Sequence, residues 1–411
     1  MTSIPFFKLS AFGNNFVVLD ETRQQVLTEA QKRRFAHHAT DVNFGIGCDN
    51  FLVVQPCCDT VLEEIHAENR YWPAPPDTQG AELIFRMFDP DGTEAYSCGN
   101  GLMCIARYLH ARYAVTRQRV LTKLPTAAPG IATIGMAADG DGYFADLGIP
   151  ERMPETLVNR SFLKPFDGCI DLVENLDIRH FRATDAIRFF GNSRMLALRG
   201  YLVFTGEPHL VILGDNGFSL PDPVRHIFPT STEESRTGRF SKRRMSTGAS
   251  LVNFIGYYLA KNYRHLFPKG INVNFVRKIP GEDIIEYRCF ERGILKETFA
   301  CGTGALACAF VMRSLGMVRS DNLRLWPYRC RLHQPDAEIR VGRAGHGWQI
   351  LGRPTLLFEG RFVMKDAMDR IPEEDAAPSR PSLPLEAGAD ARHDLQAAFS
   401  EGEHRRIQPS A

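Results

Sequence analysis

The chain has 411 residues, 44% of them hydrophobic and 24% charged, with a formal net charge of +1. This composition predicts an ordinary soluble globular protein with material for two domains, and the near-zero charge argues against a partner that is nucleic acid or an acidic membrane. The opening MTSIPFFKLSAFG lacks a signal-peptide pattern, no apolar stretch approaches a membrane span, and none of the ten cysteines form a CxxC pair; a reducing cytoplasm is expected, and a metal site is not.

Residues 6–20, FFKLSAFGNNFVVLD, predict strand, turn at Gly13-Asn14-Asn15, strand. A helix is expected over residues 27–39, then FGIGCDN leads into a buried strand, FLVVQP. The GxG there precedes a strand rather than a helix, so it is not a phosphate loop. Residues 57–80, with the run WPAPPD, read as an irregular insertion. Residues 85–109 read as a strand, FRMF, a polar connection through Asp91-Gly92, and Cys98-Gly99-Asn100-Gly101 opening an apolar helix. GIATIGMAA and GYFADLGI predict antiparallel strands, continued over residues 189–203, and Gly206-Glu207-Pro208-His209 leads into the strand LVILGD. Residues 222–250 are Ser/Thr-rich, with five Lys or Arg between Arg236 and Arg244, and read as a mobile surface loop. LVNFIGYYLAKNYRHLF predicts a helix and NVNFVRKI a strand; further strands follow at LRLWPY, AEIRVGR, WQILG and TLLFEGRFV. From about Lys365 the composition turns acidic and rich in Pro and Ala, which predicts a disordered tail over residues 365–411.

The segment over residues 287–312, YRCFERGILKETFACGTGALACAFVM, repeats the one over residues 85–109. Arg86 meets Arg288, Phe88 meets Phe290 and Asp89 meets Glu291; Cys98 falls ten residues after Phe88, and Cys301 eleven after Phe290. Each copy delivers a cysteine to the start of an apolar helix, where unpaired N–H groups and partial positive charge favour an anion. Such a position is expected to stabilise the thiolate and lower its pKa. The glycines that follow, Gly99 and Gly101, Gly302 and Gly304, let a ligand approach bare backbone.

A helix apolar on all sides has to be buried. The expected fold is α+β, two pseudo-symmetric domains, each a curved, mostly antiparallel sheet around a central apolar helix, with the active site in the cleft between them. Residues 1–120 form the first half and 121–354 the second, and a strand near 355–364 returns to the first. Two opposed thiols at a carboxylate-binding cleft suit α-proton exchange on an amino acid. A thiolate removes the proton from one face and a thiol supplies one to the other, and no pyridoxal cofactor is then required.

KLSAFGNNFVVLD, GIGCDN, FRMFDPDGTEAYSCGNGLMCIARYL, GEPHLVI, GINVNF and ERGILKETFACGTGA, in this order across roughly residues 6–362, resemble the diaminopimelate epimerase family. The resemblance implies paired helix-filled domains, a cofactor-independent two-base mechanism and a homodimer. It assigns Cys98 and Cys301 as the acid/base thiols, as the repeat does independently. It also implies substrate contacts from Asn14, Asn272, Glu291 and Arg292, and from the backbone at Gly99, Asn100, Gly302 and Thr303, with His209 and Glu291 as acid/base partners beside the thiols.

Three positions depart from the family's pattern: Asn50 stands for a glutamine, and Asp89 and Glu207 for asparagines that hold the substrate's distal end. Two carboxylates there would repel a distal carboxylate and attract a distal cation, unless Arg292 pairs with one of them. Interconversion of LL- and meso-diaminopimelate is the first expectation, and racemisation of lysine, arginine, ornithine or histidine the alternative. A thiol redox sensor would pair Cys98 with Cys301 but gives the glycines, acids and His209 no role. A non-catalytic amino-acid-binding protein has no use for both thiols.

Overall fold

The computed structural model describes residues 2–78, 80–126, 128–179, 195–214, 217–218, 226–229 and 247–364. Most of the basic loop expected at 222–250 and the whole 365–411 tail lie outside the described residues.

The chain opens with β1 (Thr2–Ala11) and β2 (Asn14–Asp20), an antiparallel hairpin that turns at Phe12-Gly13. Gly13 holds φ +81°, and a Cβ there would meet the Phe299 ring at 2.9 Å, so only glycine fits the turn. Helix α1 (Glu29–Thr40) starts at a capping box, the Thr28 side chain accepting from Gln31 N and the Gln31 side chain accepting from Thr28 N. Then β3 (Asn50–Pro56) runs parallel to β2. The irregular segment expected at 57–80 is corrected, because Asp59–Asn69 forms helix α2 and buries Leu62 and Ile65 against Trp72 and Ile84. Its N-cap, Cys58, makes no side-chain bond, so the sequence carries no start signal there.

β4 (Leu83–Phe88) pairs antiparallel with β3 and leads through the short β5 (Glu94–Ala95) into α3 (Gly99–Tyr113). β6 (Arg117–Thr122), β7 (Gly130–Met136) and β8 (Tyr143–Gly148) follow, β6 parallel to β4 and the others antiparallel in turn. Helix α3 packs against β1, β7 and β8, so its wrapping sheet runs on past residue 120.

The second half repeats this ladder. After β9 (Lys164–Asp167) and β10 (Ile170–Ile178), β11 (Leu196–Phe204) pairs antiparallel with β12 (Pro208–Leu213). Helix α4 (Thr247–Asn262) then leads to β13 (Asn272–Lys278), parallel to β12 as β3 is to β2. β14 (Ile284–Glu291), β15 (Lys296–Glu297) and α5 (Gly302–Ser314) stand where β4, β5 and α3 stood, and β16 (Asn322–Pro327) is parallel to β14. β17 (Ile339–Ala344) and β18 (Gly347–Gly352) complete the wrap around α5, and β18 pairs with β8 to join the two ladders. The last strand, β19 (Thr355–Met364), lies antiparallel to β1 and packs on α3.

The repeated arginines have a structural role. Arg86 makes a bidentate pair with Glu94 at 2.9 and 2.6 Å, and Arg288 one with Glu297 at 2.6 and 2.9 Å, all with side chains out of water. Each pair ties the long strand to the short one that leads into a buried helix, and so fixes the approach to each cysteine.

Candidate active site

Cys98 and Cys301 occupy the same place in the two halves, the N-cap of a buried helix. Cys98 Sγ accepts from Gly101 N at 3.4 Å, and Cys301 Sγ from Gly304 N at 3.3 Å. The two helix ends abut: a Cβ on Gly302 would come within 3.3 Å of Gly99 Cα, and Asn100 Nδ2 donates to Ala300 O at 3.1 Å. Glycine at both positions is what lets the backbones close.

A cavity of about 310 Å³ lies over this junction. It is lined by both cysteines and by Asn14, Asn50, Asp89, Gly99, Asn100, Glu207, Asn272, Glu291, Arg292, Gly302 and Thr303. Of the catalytic and substrate-contact residues that the resemblance implies, His209 lies outside its wall and is fully buried behind it; Gly101 and Gly304 do not line it either. A larger cavity of about 660 Å³ elsewhere is lined by Arg324, Arg331, Arg340 and Arg353, and neither thiol reaches it.

Strand ends carry the polar groups. Asn50 and Asn272 open the matched strands β3 and β13, and Asp89 and Glu291 stand at the ends of β4 and β14. Asn50 Nδ2 donates to Asp89 at 2.7 Å, while Arg292 N donates to Asn272 Oδ1 at 2.9 Å. Asn14 Oδ1 is 3.9 Å from Cys98 Sγ, and its amide donates to Asp49 at 3.0 Å. The guanidinium of Arg292 donates twice to Glu207, at 2.7 and 3.1 Å, so that of the two carboxylates it is Glu207 that pairs with it. Arg292 also lies over the Tyr96 ring, 5.8 Å from its centroid, bringing the two halves together.

His209 Nε2 is 3.0 Å from Thr303 Oγ1, which is 3.4 Å from Cys301 Sγ, and Asn274 Nδ2 meets His209 Nδ1 at 3.0 Å. Burial, with Arg292 nearby, pulls the His209 pKa down to about 3, so the ring is neutral at pH 7. The histidine therefore sits one hydroxyl away from the thiol instead of beside it. Burial raises Glu291 to about 7, with Glu207, Asp49 and Asp89 adding to the effect against the Thr298 hydrogen bond. Burial, Asp91 and Glu207 likewise raise Asp89 to about 6, against Arg292 and Asn50.

The expected lowering of the Cys98 pKa is overturned. Burial pushes this thiol up, Glu291 and Cys301 add to the push, and the Gly101 and Asn100 backbone bonds offset only part of it. Loss of water outweighs one helix end here. Sequence reasoning also missed Asn274, the Thr303 hydroxyl, Thr298, Asp49 and Lys269. The alternation Asn272, Asn274 on one strand face could have drawn attention to Asn274. The others show no pattern in the sequence.

Solved amino-acid racemases and epimerases share this fold. A hydroxyproline epimerase from Agrobacterium vitis aligns with a TM-score of 0.51 at 13% identity, covering 89% of this chain and 94% of that one. A probable proline racemase from Agrobacterium radiobacter K84 gives the same TM-score at 12% identity; at these identities the likeness is of fold. The family model described as diaminopimelate epimerase matches residues 6–142. The diaminopimelate epimerase of Archaeoglobus fulgidus is 29% identical over 320 residues, covering 77% of this chain and 84% of its own. That of Xanthomonas euvesicatoria pv. vesicatoria is 25% identical over 359 residues, covering 87% and 95%. The chain is thus similar to diaminopimelate epimerases, which are isomerases, over most of its length.

Proposed function

We propose that the chain inverts the α-carbon of an amino acid by proton exchange between Cys98 and Cys301, without a cofactor. The observation that carries this reading is that two helix N-caps, each bearing a thiol, open onto one cavity. The substrate α-carboxylate is received by the backbone N–H groups of the two helix starts, which also offset charge as the carbanion develops. One sulfur takes the α-proton while the other returns a proton to the opposite face, so configuration inverts.

Around Cys301 a chain of hydrogen bonds has one consistent direction. Neutral His209 accepts from Asn274 at Nδ1 and donates from Nε2 to Thr303 Oγ1, leaving the hydroxyl proton for the sulfur. Thr303→Val removes that donor, and a lost bond to a charged acceptor costs about 1.5–3 kcal/mol, so kcat/KM is expected to fall about 10- to 100-fold while Thr303→Ser keeps activity. An unchanged Thr303→Val rate would remove the hydroxyl from the mechanism.

Glu291 is the proton acceptor for the thiols. Its pKa is raised to about 7, so the competent carboxylate form grows as pH rises through that value. The kcat/KM profile should climb to a plateau above pH 7, and Glu291→Gln should lose both that limb and most of the activity. A Glu291→Gln profile that keeps the same limb assigns the limb to another group.

The substrate proposed first is diaminopimelate, the one named for the relatives, which would place the chain in lysine synthesis. Its distal end carries both charges: Asp89 and Glu207 suit the ammonium and Arg292 the carboxylate. The ion pair at 2.7 Å between Glu207 and Arg292 supports a second reading, a substrate with a cationic side chain and no distal carboxylate, since the guanidinium is already engaged. Deuterium wash-in at the α-carbon, run with LL-diaminopimelate, lysine, ornithine, arginine and histidine, separates the two. Exchange on none of them overturns both. Among the described residues no helix is long and apolar enough to cross a membrane; a cytoplasmic homodimer with a small-molecule substrate and no nucleic-acid partner completes the proposal.

A further inference from the structure

We propose that Cys289, Glu291 and Cys301 form a binding site for one thiophilic divalent cation, such as Zn²⁺, and that its occupation silences Cys301. The two thiol sulfurs and a carboxylate oxygen all lie within 4.8 Å of one another. Zinc bonds of about 2.3 Å to sulfur and about 2.0–2.2 Å to oxygen put tetrahedral ligands roughly 3.5–3.8 Å apart, so closing the site asks for a movement of about 1 Å.

The local structure provides these ligands for a simple reason. Cys289 and Glu291 are two apart on β14, so both face the same side of the strand, toward the N-cap thiol of α5. Cys289 is 1% exposed and lies behind the cavity wall, whereas Cys301 and Glu291 line it. A cation entering from the cavity meets two of its ligands first and the third behind them, with the fourth position left open to water or substrate. Two sulfurs and one carboxylate make a soft donor set that favours zinc or cadmium over magnesium or calcium.

A second observation points to the same place. Asn274 is the cross-strand partner of Cys289 and is fully buried, and its Oδ1 has no hydrogen-bond partner. That oxygen and Cys301 Sγ lie 2.6 and 3.3 Å from the position a Cβ of Gly304 would take, so an unsatisfied acceptor borders the cluster. In the first half the matching residue is Met87, which has no thiol to deprotonate, so one cation per chain is expected.

On binding, each thiol loses its proton to solvent and its sulfur pair binds the metal, so Cys301 can neither take nor give a proton. The consequence for activity rests on the two-thiol reading above, whereas binding rests on geometry alone. The experiment therefore has two readouts on the intact chain. Titration with Cd²⁺ should give a sulfur-to-metal charge-transfer band in the ultraviolet that saturates at one cation per chain, and Zn²⁺ should inhibit α-proton exchange. Cys289→Ser and Cys289→Val leave Cys98, Cys301 and Glu291 in place, and inhibition is read as a fraction of each variant's own uninhibited rate. Both should weaken Cd²⁺ binding and Zn²⁺ inhibition by more than about tenfold, since loss of a ligand costs at least as much as loss of its outer support. The site is refuted if the band is absent, or if both variants bind Cd²⁺ as the parent does. A saturating band in a chain that exchanges no α-proton would leave the cation site standing and overturn the epimerase reading.

Discussion

Cys98→Ala and Cys301→Ala should each reduce turnover by about 10³-fold or more, toward the upper end of what one positioned acid or base contributes. The two effects should not add. Inversion needs both faces of the α-carbon served, so losing either sulfur stops the cycle and losing the second changes little more. Alanine suits both N-cap sites sterically, and each variant gives up only long, weak bonds to sulfur, so melting should shift by no more than a few degrees. Thermal unfolding beside the rate of inversion at the α-carbon is the measurement. A single variant that retains more than a tenth of the parent rate shows that one sulfur suffices and ends the two-base account. A redox sensor instead predicts that the two sulfurs form a reducible disulfide and that substrate exchange never occurs.

Arg288→Met should destabilise the protein by about 3–5 kcal/mol, the cost of leaving a buried charge without its partner. Glu297 is 1% exposed and takes both of its close charge-assisted bonds from Arg288, while the same guanidinium donates to Ile227 O at 2.6 Å and lies over the Tyr328 ring. Removing the cation strands the carboxylate, which then takes up a proton or draws in water. The double replacement Arg288→Met with Glu297→Leu should recover much of the loss, because two apolar groups of similar volume impose no uncompensated charge. Urea unfolding of the two variants beside the parent tests this, and equal losses in the single and double variants would show that packing rather than charge dominates.

These arginines show how far the sequence could be read. Arg86 and Arg288 stood out as matched positions upstream of each cysteine, and matched residues carry the fold: parallel strand pairs, short connecting strands and buried helices recur in the same order. Chemical type and spacing along the chain were enough for that. Where two distant segments meet, the sequence was silent. Glu207 and Arg292 are 85 residues apart and meet only because β12 and β14 flank β13, so their ion pair could be raised as a possibility but not fixed. Burial was the other blind spot. A helix start predicted an easily ionised Cys98, and the loss of water around it reverses that, a quantity no local pattern encodes. Helix α2 escaped notice because a proline-rich neighbour coloured the reading of its whole segment.

The pairing of β1 with β19 has a consequence for synthesis. Ile4 sits opposite Phe362, so the outermost strand of the first ladder is supplied by residues made about 350 positions after β1. The hairpin of β1 and β2 must therefore wait through most of translation with one flank unpaired, and contacts of such wide separation slow completion of the sheet. Nascent chains stopped short of Thr355 should be prey to proteolysis or to edge-to-edge clumping. A polypeptide that reaches Met364 is thus the smallest unit that can hide its own first strand.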